Sequence, residues 1–382
     1  MVNQYVPFAE IATDFLVDEK LPIAVWGFGF YARNCLEFLS SEKRLKVELI
    51  VDGNLAGSTT TSFKGIPVVN PKQFWSIARR YFVLLCMRPG NGFDPSVLKE
   101  YSVPHAYFDH LYLTSNIKSI EQSKRLFTEH ISDLTFCYLI GARFSMQPIV
   151  GSDVIFDRQY FALPKFKRSR NQVFIDCGAF VGDTFETWFI QNEGSIGAYI
   201  GFEPLRHHVE LFSNRVKRLK AEYPLDFDKF FLRECFVSNK RIASQSQPHS
   251  RDSDHKDGPD FSTSRGGHNG SQSSMLDVFN ENEHEVSTID HEVSAIRTVV
   301  EKANSALIKM DLEGGELSAL EGAVETIDRY RPLLAISVYH RIDHLIRIPI
   351  WISRNFAGYR FHLRHHSPSL DETVLYCEPS EH

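Results

Sequence analysis

An apolar run that ends in an acid and turns through two glycines carries the strongest chemical signal in the sequence. The run begins at Val173 and ends at Asp176, and Gly178 and Gly182 follow before a stretch with helical spacing. Glycines let a ligand approach the backbone closely, and a helix N-terminus offers free N–H groups. The spacing is G-x-x-x-G, which departs from the G-x-G-x-x-G of dinucleotide sites. The segment therefore indicates either a ligand-binding turn or an ordinary strand–turn–helix.

Further acids follow the next apolar runs of the chain. Glu203 ends the second run, where an acid suits hydrogen bonds to the hydroxyls of a ribose. Asp311 and Glu313 come just beyond another apolar run, and His340 follows the run after that. Ligands bind at the carboxyl edge of open α/β sheets, so these side chains predict a nucleoside pocket with an imidazole on the same edge.

The elements that must position these residues form an α/β series in the second half of the chain. The candidate strands share apolar composition and are Val173–Asp176, Ala198–Glu203, Phe230–Val237, Ala306–Asp311, Leu333–Val338, Tyr359–Leu363 and Thr373–Cys377. Helical stretches lie between the first five. The last two are separated by a short segment with no helix, which favours an antiparallel pair at the sheet edge.

A second glycine turn lies near the N-terminus, after the apolar run Leu21–Trp26. Gly27 and Gly29 precede Ala32, and Asp52 ends the next strand, which fits the Rossmann fingerprint with alanine at the third glycine. Only about three strands are evident, which is half of a dinucleotide fold. This part of the chain is therefore either a nucleotide-binding module or a degenerate module used for packing or substrate docking.

The pattern divides the chain into three parts. Residues 1–113 are predicted to form a small Rossmann-like domain, and residues 114–150 a helical connector built on one long amphipathic helix. Residues 151–382 are predicted to form the larger α/β body. Within it, residues 243–274 are polar and nearly devoid of apolar side chains, which is typical of a surface loop or a lid.

The second half of the chain is similar to FkbM-type S-adenosylmethionine-dependent methyltransferases. The resemblance covers most of residues 120–378, and the segments that carry it are Asp176–Thr184, Gly201–Pro204, Lys309–Gly314, Ser337–Arg341, Leu363–Ser367 and Glu372–Tyr376. It implies a doubly wound, mostly parallel seven-stranded α/β sheet with an antiparallel last strand. It also implies S-adenosyl-L-methionine as cofactor and methyl transfer to a hydroxyl of a sugar, glycan or natural-product precursor.

The resemblance also assigns cofactor contacts. Asp176, Gly178 and Gly182 are expected to line the methionine end of the cofactor. Glu203 is expected to bind the ribose, and the adenine is expected near Phe236.

Methyl transfer to a hydroxyl requires a general base. An imidazole titrates near neutral pH, which makes His340 the first candidate; Asp311 is the second, as base or as the partner that orients an imidazole. Glu313, His365 and His366 are candidate substrate contacts. Asp311 and Glu313 offer oxygen ligands to a divalent ion, but no acid ends the following strand, so no metal is expected.

Composition excludes several classes of protein. The chain has 382 residues with 42 Lys and Arg against 48 Asp and Glu, a net charge of −6, which argues against nucleic-acid binding. No apolar run is long enough for a membrane span, and the first residues lack the features of a signal peptide. The six cysteines contain no C-x-x-C pair, which indicates reduced thiols in a cytoplasmic protein. An oligomer is compatible with the sequence.

Two other functions remain open from the sequence. The first is a non-catalytic protein that binds nucleotide-sugars or acts as a scaffold on a methyltransferase fold. The second is an NAD(P)-dependent sugar oxidoreductase that works through the N-terminal glycine turn.

Overall fold

The computed structural model describes residues 21–41, 45–53, 62–87, 93–146, 152–167, 169–223, 229–243 and 285–380. The polar segment predicted at residues 243–274 lies outside the described residues except for Ala243. The chain divides into two compact units. Unit 1 comprises Met1–Lys167 and Leu333–His382, and unit 2 comprises Arg168–Pro332.

The N-terminal part of unit 1 is built on a six-stranded sheet in the order β3-β4-β2-β1-β5-β6. Its strands are β1 (Ile23–Trp26), β2 (Val47–Val51), β3 (Ser62–Phe63), β4 (Ile66–Val69), β5 (Phe82–Leu85) and β6 (His105–Tyr107). All pairs are parallel except β3 with β4. The expectation of about three strands was therefore too low, because β3 and β6 are too short to produce a periodic signal.

Within the described residues, seven helices accompany this sheet and the segment that follows it. They are α1 (Phe30–Ser41), α2 (Pro71–Trp75), α3 (Ser96–Glu100), α4 (Phe108–Ser115), α5 (Ile117–Lys124), α6 (His130–Ser145) and α7 (Pro164–Lys167). Single 3₁₀ turns lie at Ala78–Arg80 and Ser152–Val154. The core beneath the sheet is apolar, with Ala24, Val83 and Phe74 fully buried.

The prediction of one long helix in the connector is wrong, because α5 and α6 are separate helices. The backbone at Glu129 is extended, and its carboxylate accepts hydrogen bonds from Arg364 Nη2 at 2.7 Å and from Ser132 Oγ at 2.6 Å. The ring of Phe127 in the break packs on Phe136 at 5.3 Å. The spacing of the apolar residues could not predict this break, because Arg364, which binds Glu129 there, lies far away in the sequence.

Unit 2 contains four parallel strands in the order β12-β7-β8-β9 and a separate two-stranded sheet. The strands are β7 (Gln172–Cys177), β8 (Ile196–Phe202), β9 (Phe230–Arg233), β10 (Phe236–Val237), β11 (Val286–Ser287) and β12 (Ser305–Met310). The predicted strand Phe230–Val237 is thus two strands, since β9 pairs with β8 whereas β10 pairs with β11.

The helices in the described part of unit 2 are α8 (Asp183–Gln191), α9 (Arg206–Glu222), α10 (Ile289–Ala295), α11 (Arg297–Val300), α12 (Glu316–Glu321) and α13 (Val324–Tyr330). Aromatic side chains join α8 and α9 to the sheet. The ring of Phe185 lies 4.6 Å from Tyr199, 5.5 Å from Phe212 and 5.3 Å from Phe230. This cluster anchors the start of α8, and therefore the turn before it, against the strands.

The C-terminal part of unit 1 consists of β13 (Leu333–Ser337), α14 (His344–Asn355), β14 (Tyr359–His365) and β15 (Thr373–Pro379). The last strand, β15, is antiparallel to both of its partners in this unit, β13 and β14. The predicted antiparallel pair is confirmed. The predicted fold class is also confirmed, since the chain is a mixed α/β protein with a six-stranded and a seven-stranded sheet, both mostly parallel.

All six cysteines are free, and five of them are buried. Among the described residues, no helix has both the length and the apolarity that crossing a membrane requires.

Candidate functional site

The glycine turn of unit 2 connects β7 to α8, and both of its glycines have positive φ angles. A Cβ atom on Gly178, where φ is 81°, would lie 2.0 Å from the carbonyl oxygen of Asp311. A Cβ atom on Gly182, where φ is 77°, would lie 2.3 Å from the ring of Phe212. Close packing of protein atoms therefore requires both glycines. Their expected contact with the methionine end of a cofactor stays a prediction.

Hydrogen bonds attach the turn to the end of β8. The N–H groups of Gly178 and Ala179 donate to the carbonyl of Phe202 at 3.0 and 2.9 Å. The N–H group of Phe180 donates to Glu203 Oε2 at 3.0 Å. The turn is consequently fixed in one conformation by neighbouring backbone and by one acidic side chain.

Glu203 is 5% exposed, and both of its carboxylate oxygens accept hydrogen bonds. Its Oε1 atom accepts from the N–H of Leu205 at 3.0 Å and lies 3.1 Å from Nδ1 of His208. The ring of His208 in turn lies 4.5 Å from the ring of Phe180. His208 is therefore half-buried and held by protein groups, whereas the neighbouring His207 is exposed.

Phe180 is the unusual residue of this turn. It has a φ of 47°, in the left-handed region that favours glycine, and its side chain is 51% exposed. A strained backbone that presents a large aromatic ring to solvent is a combination found at functional sites. The carboxylate of Glu203, the imidazole of His208 and the ring of Phe180 thus form one polar and aromatic surface at the end of β8.

Asp176 lies fully buried in β7, opposite Lys309 of β12 in the strand register. Its Oδ1 atom lies 3.1 Å from Lys309 Nζ, and its Oδ2 atom accepts from the hydroxyl of Tyr199 at 2.9 Å. The carboxylate is therefore held by protein groups, and the expected contact with a cofactor stays a prediction.

Three acids follow β12. Asp311 and Glu313 are half-buried, and Glu313 has a φ of 49°. Glu316 is fully buried, and its Oε1 atom accepts from the N–H groups of Leu312 at 2.9 Å and Gly314 at 3.4 Å. Glu316 therefore stabilises the turn that it follows, whereas Asp311 and Glu313 keep part of their surface accessible.

Phe236, near which the adenine is expected, is 2% exposed and belongs to the small sheet of β10 and β11. Burial raises the pKa of the neighbouring Cys235 thiol to about 12, so this cysteine is protonated at neutral pH. The contact of Phe236 with an adenine stays a prediction.

In unit 1, His340 follows β13 and is 1% exposed. The residue after it, Arg341, donates from Nη1 to Glu37 Oε2 at 2.6 Å and from Nε to Asp343 Oδ1 at 3.0 Å. Burial lowers the pKa of Arg341, but Asp343 and Glu37 outweigh this effect and raise it. The segment around the candidate base is therefore held by ion pairs.

His365 is the last residue of β14, His366 follows it, and both are largely enclosed by protein. Nδ1 of His365 lies 2.8 Å from the hydroxyl of Thr373. Nδ1 of His366 lies 2.7 Å from the carbonyl of Phe156, and its Nε2 lies 3.1 Å from the hydroxyl of Tyr376. Burial lowers the pKa of His366 to about 4, so its ring is neutral at physiological pH. Their role as substrate contacts stays a prediction.

The N-terminal glycine turn has a positive φ of 107° at Gly27, whose N–H donates to the carbonyl of Val51 at 2.8 Å. The guanidinium of Arg33 lies 4.7 Å from the centre of the Phe28 ring. Burial lowers the pKa of Arg33, and the charge of Asp52 opposes this effect. The predicted nucleotide site at Gly27, Gly29 and Asp52 is not tested by these contacts.

A comparison with protein families identifies the domain that contains the glycine turn of unit 2. The model of the methyltransferase FkbM domain matches residues 176–361. Residues 176–361 form an FkbM methyltransferase domain. The resemblance noted in the sequence is therefore confirmed for this part of the chain. No curated protein matches the chain.

A solved structure extends the likeness to nearly the whole chain. The methyltransferase FkbM from Methylobacillus flagellatus KT is 19% identical, with a TM-score of 0.54, and the match covers 97% of this chain and 98% of that one. At this identity the likeness shows the fold alone. An rRNA methylase from Streptococcus thermophilus matches at 11% identity over 60% of this chain and 91% of that one, with a TM-score of 0.30, too low to bear on fold or function.

Sequence reasoning did not identify Lys309 and His208 as parts of the FkbM domain's candidate site. A lysine inside an apolar strand indicates a buried partner of opposite charge, and that signal was available at Lys309. His208 gave no signal, because a histidine in the first turn of a helix is normally exposed.

Proposed function

We propose that the chain transfers a methyl group from S-adenosylmethionine to a hydroxyl of a sugar, a glycan or a glycosylated natural-product precursor. The observation that carries the cofactor assignment is the carboxylate of Glu203. It lies at the end of β8, the strand that follows the turn, where an acid suits the hydroxyls of a ribose. Three donors orient it, namely the N–H groups of Phe180 and Leu205 and the ring of His208.

The chemistry of the donor set fits this cofactor. Glu203 supplies acceptor oxygens for a diol, and the exposed ring of Phe180 supplies an apolar surface beside it. The half-buried acids Asp311 and Glu313 supply negative charge, which suits a cation better than it suits the phosphates of a dinucleotide. S-adenosylmethionine, when bound, supplies an electrophilic methyl group on a cationic sulfur.

The protein must then orient the acceptor oxygen and remove its proton. We assign proton removal to His340, whose imidazole is suited to neutral pH, with Asp311 as the second candidate. Glu313 is proposed to accept hydrogen bonds from hydroxyls of the acceptor. A neutral, polyhydroxylated acceptor agrees with the absence of a basic excess in the chain.

The proposal is tested by incubating the protein with methyl-labelled S-adenosylmethionine and a panel of monosaccharides, nucleotide-sugars and oligosaccharides. We expect label in at least one acceptor, in a form that survives mild alkali, because a methyl ether is stable to base and a methyl ester is not. Base-labile label, or label on nitrogen, would contradict transfer to a hydroxyl. Cofactor binding without transfer to any acceptor would favour the non-catalytic alternative, and NAD(P)-dependent oxidation of the panel would favour the oxidoreductase.

A further inference from the structure

A buried ion pair lies beneath the turn that follows β7. Asp176 and Lys309 are register partners on adjacent strands and are 0% and 2% exposed, with Oδ1 and Nζ 3.1 Å apart. Such a pair is weak evidence for stability, because well-packed apolar residues of the same volume often stabilise a fold equally well. We therefore ask which neighbouring groups the ammonium of Lys309 and the carboxylate of Asp176 bind.

The ammonium of Lys309 binds the backbone of the turn. Its Nζ donates to the carbonyl of Gly178 at 2.5 Å and lies 3.5 Å from the carbonyl of Cys177. Burial lowers the pKa of Lys309, but the carboxylates of Asp176 and Asp311 outweigh this effect and raise the pKa above its usual value. The side chain is therefore a cation, and its hydrogen bond to Gly178 is of the stronger, charge-assisted kind.

The carboxylate of Asp176 is directed at protein groups. One oxygen faces Lys309, and the other accepts from the hydroxyl of Tyr199 at 2.9 Å. An ammonium has no acceptor capacity, so the ionised carboxylate is the form that satisfies this contact. With no exposed surface, the charge of Asp176 neutralises Lys309 and is not offered to a ligand.

Holding the Gly178 carbonyl also orients the N–H groups around it. The N–H groups of Gly178 and Ala179 already donate to the carbonyl of Phe202 at the end of β8. The carbonyl of Gly178 accepts from Lys309 of β12, so two neighbouring strands hold the turn. Removing the ammonium of Lys309 would leave the carbonyl of Gly178 without this hydrogen bond, at the place where the backbone is expected to approach a ligand closely.

We infer that Asp176 and Lys309 are positioning residues, with Asp176 acting through Lys309 and the ammonium of Lys309 fixing the glycine turn for the cofactor. This role replaces the direct contact with the methionine end that the sequence suggested for Asp176. The inference rests on the proposed function, because the turn is taken to be the S-adenosylmethionine site.

A double-mutant cycle tests the inference, with S-adenosylhomocysteine as the ligand and calorimetry as the readout. We expect Asp176→Asn and Lys309→Met each to raise the Kd about tenfold, and the double variant to stay within about twofold of Lys309→Met, since residues that act as one unit are not additive. An additive loss of about a hundredfold in the double variant would show that Asp176 contacts the cofactor itself. Unchanged affinity in the single variants would also overturn the inference.

The design allows for unfolding and for failure of the proposed function. Lys309→Met alone leaves the buried carboxylate of Asp176 without its partner. The double variant carries no charge at either position, and its side chains have volumes similar to those of the wild type. Lys302→Met, which removes an exposed lysine of the same unit, is the matched control and should bind like the wild type.

Amide hydrogen exchange of residues 177–183 in the ligand-free protein is the second readout. We expect faster exchange in both single variants and in the double variant, and the wild-type rate in Lys302→Met. If the wild type does not bind S-adenosylhomocysteine, the proposed function fails, and exchange alone decides the positioning role. Exchange unchanged by Asp176→Asn and Lys309→Met would overturn it.

Discussion

At the scale of single residues, His340 is the group on which the proposed chemistry depends most. Its side chain is 1% exposed directly after β13. We predict that His340→Ala lowers kcat by about 10²–10⁴-fold, the usual contribution of a general base, because the variant lacks the group to which we assign proton removal. The affinity for S-adenosylhomocysteine should stay within about twofold of the wild type, since proton removal does not contribute to cofactor binding. Single-turnover transfer of labelled methyl measures the first effect, and calorimetry the second.

The matched control for this variant is His207→Ala, which removes an exposed histidine of α9. It should retain the turnover of the wild type. Full turnover in His340→Ala would show that the base was assigned wrongly, and the same measurement on Asp311→Asn would then test the second candidate.

Part of the candidate site was predictable at this scale. Acids at the ends of apolar runs pointed to Glu203 and Asp311, because strand ends are visible in a sequence. The donors that hold Glu203 were not visible, since the N–H of Phe180 and the ring of His208 meet it only after the turn has folded. The same holds for Lys309, whose partner Asp176 lies on a strand remote in sequence.

At the scale of elements, the carboxylate of Glu129 marks the break between α5 and α6. Burial raises its pKa, but hydrogen bonds from Arg364, Ser132 and His362 outweigh this effect and lower the pKa to about 2. Its ionised form therefore stabilises the fold above pH 4.5, and this contribution is lost as the pH falls from about 4.5 to about 2.

We predict that Glu129→Gln lowers the free energy of unfolding at pH 7 by about 1–2 kcal/mol, an estimate reduced for the partial exposure of the side chain. The difference from the wild type should shrink on acidification through this range. Urea unfolding at several pH values measures it, with Glu121→Gln on the exposed face of α5 as control. Equal stability of the two variants at pH 7 would contradict a structural role for this break.

The strands and helices were predicted where periodicity extends over several residues. The runs that became β7, β8, β12 and β13 are buried along all or nearly all of their length, and their composition alone identified them. The two-residue strands β3 and β11 were missed, and β10 was merged with β9, because hydrogen bonding to a partner defines these strands and their sequence does not. The helix break at Glu129 was not predicted either, because it too depends on a hydrogen-bond partner remote in the sequence.

At the scale of the whole molecule, an ion pair connects the N-terminal domain to the segment of the candidate base. Glu37 of α1 binds Arg341, the residue next to His340, at 2.6 Å. We predict that Glu37→Gln lowers kcat about fivefold without changing the affinity for S-adenosylhomocysteine. An effect of this size is typical of residues that influence an active site without contacting it. Glu48→Gln, which alters an exposed pair with Lys46, is the control. Equal turnover of both variants would remove the N-terminal domain from the mechanism.

The division of the chain into compact units depends on contacts between residues that are far apart in the sequence. The boundaries at residues 113 and 150 follow changes in composition along the sequence. The compact units instead group residues 333–382 with the N-terminal half. Contacts such as Arg364 with Glu129 and Arg341 with Glu37 produce this grouping, and they join positions that no local pattern relates.

Binding of S-adenosylhomocysteine to the wild type and to Glu203→Gln is the measurement that tests the central claim most directly. Glu203→Gln keeps the shape of the side chain and removes its charge, and Glu210→Gln on the exposed face of α9 is the matched control. We predict saturable one-to-one binding by calorimetry, unchanged in the control and weakened about 10–100-fold in Glu203→Gln, the loss expected for hydrogen bonds to a charged group. No binding to the wild type, or equal binding by all three proteins, would contradict the account.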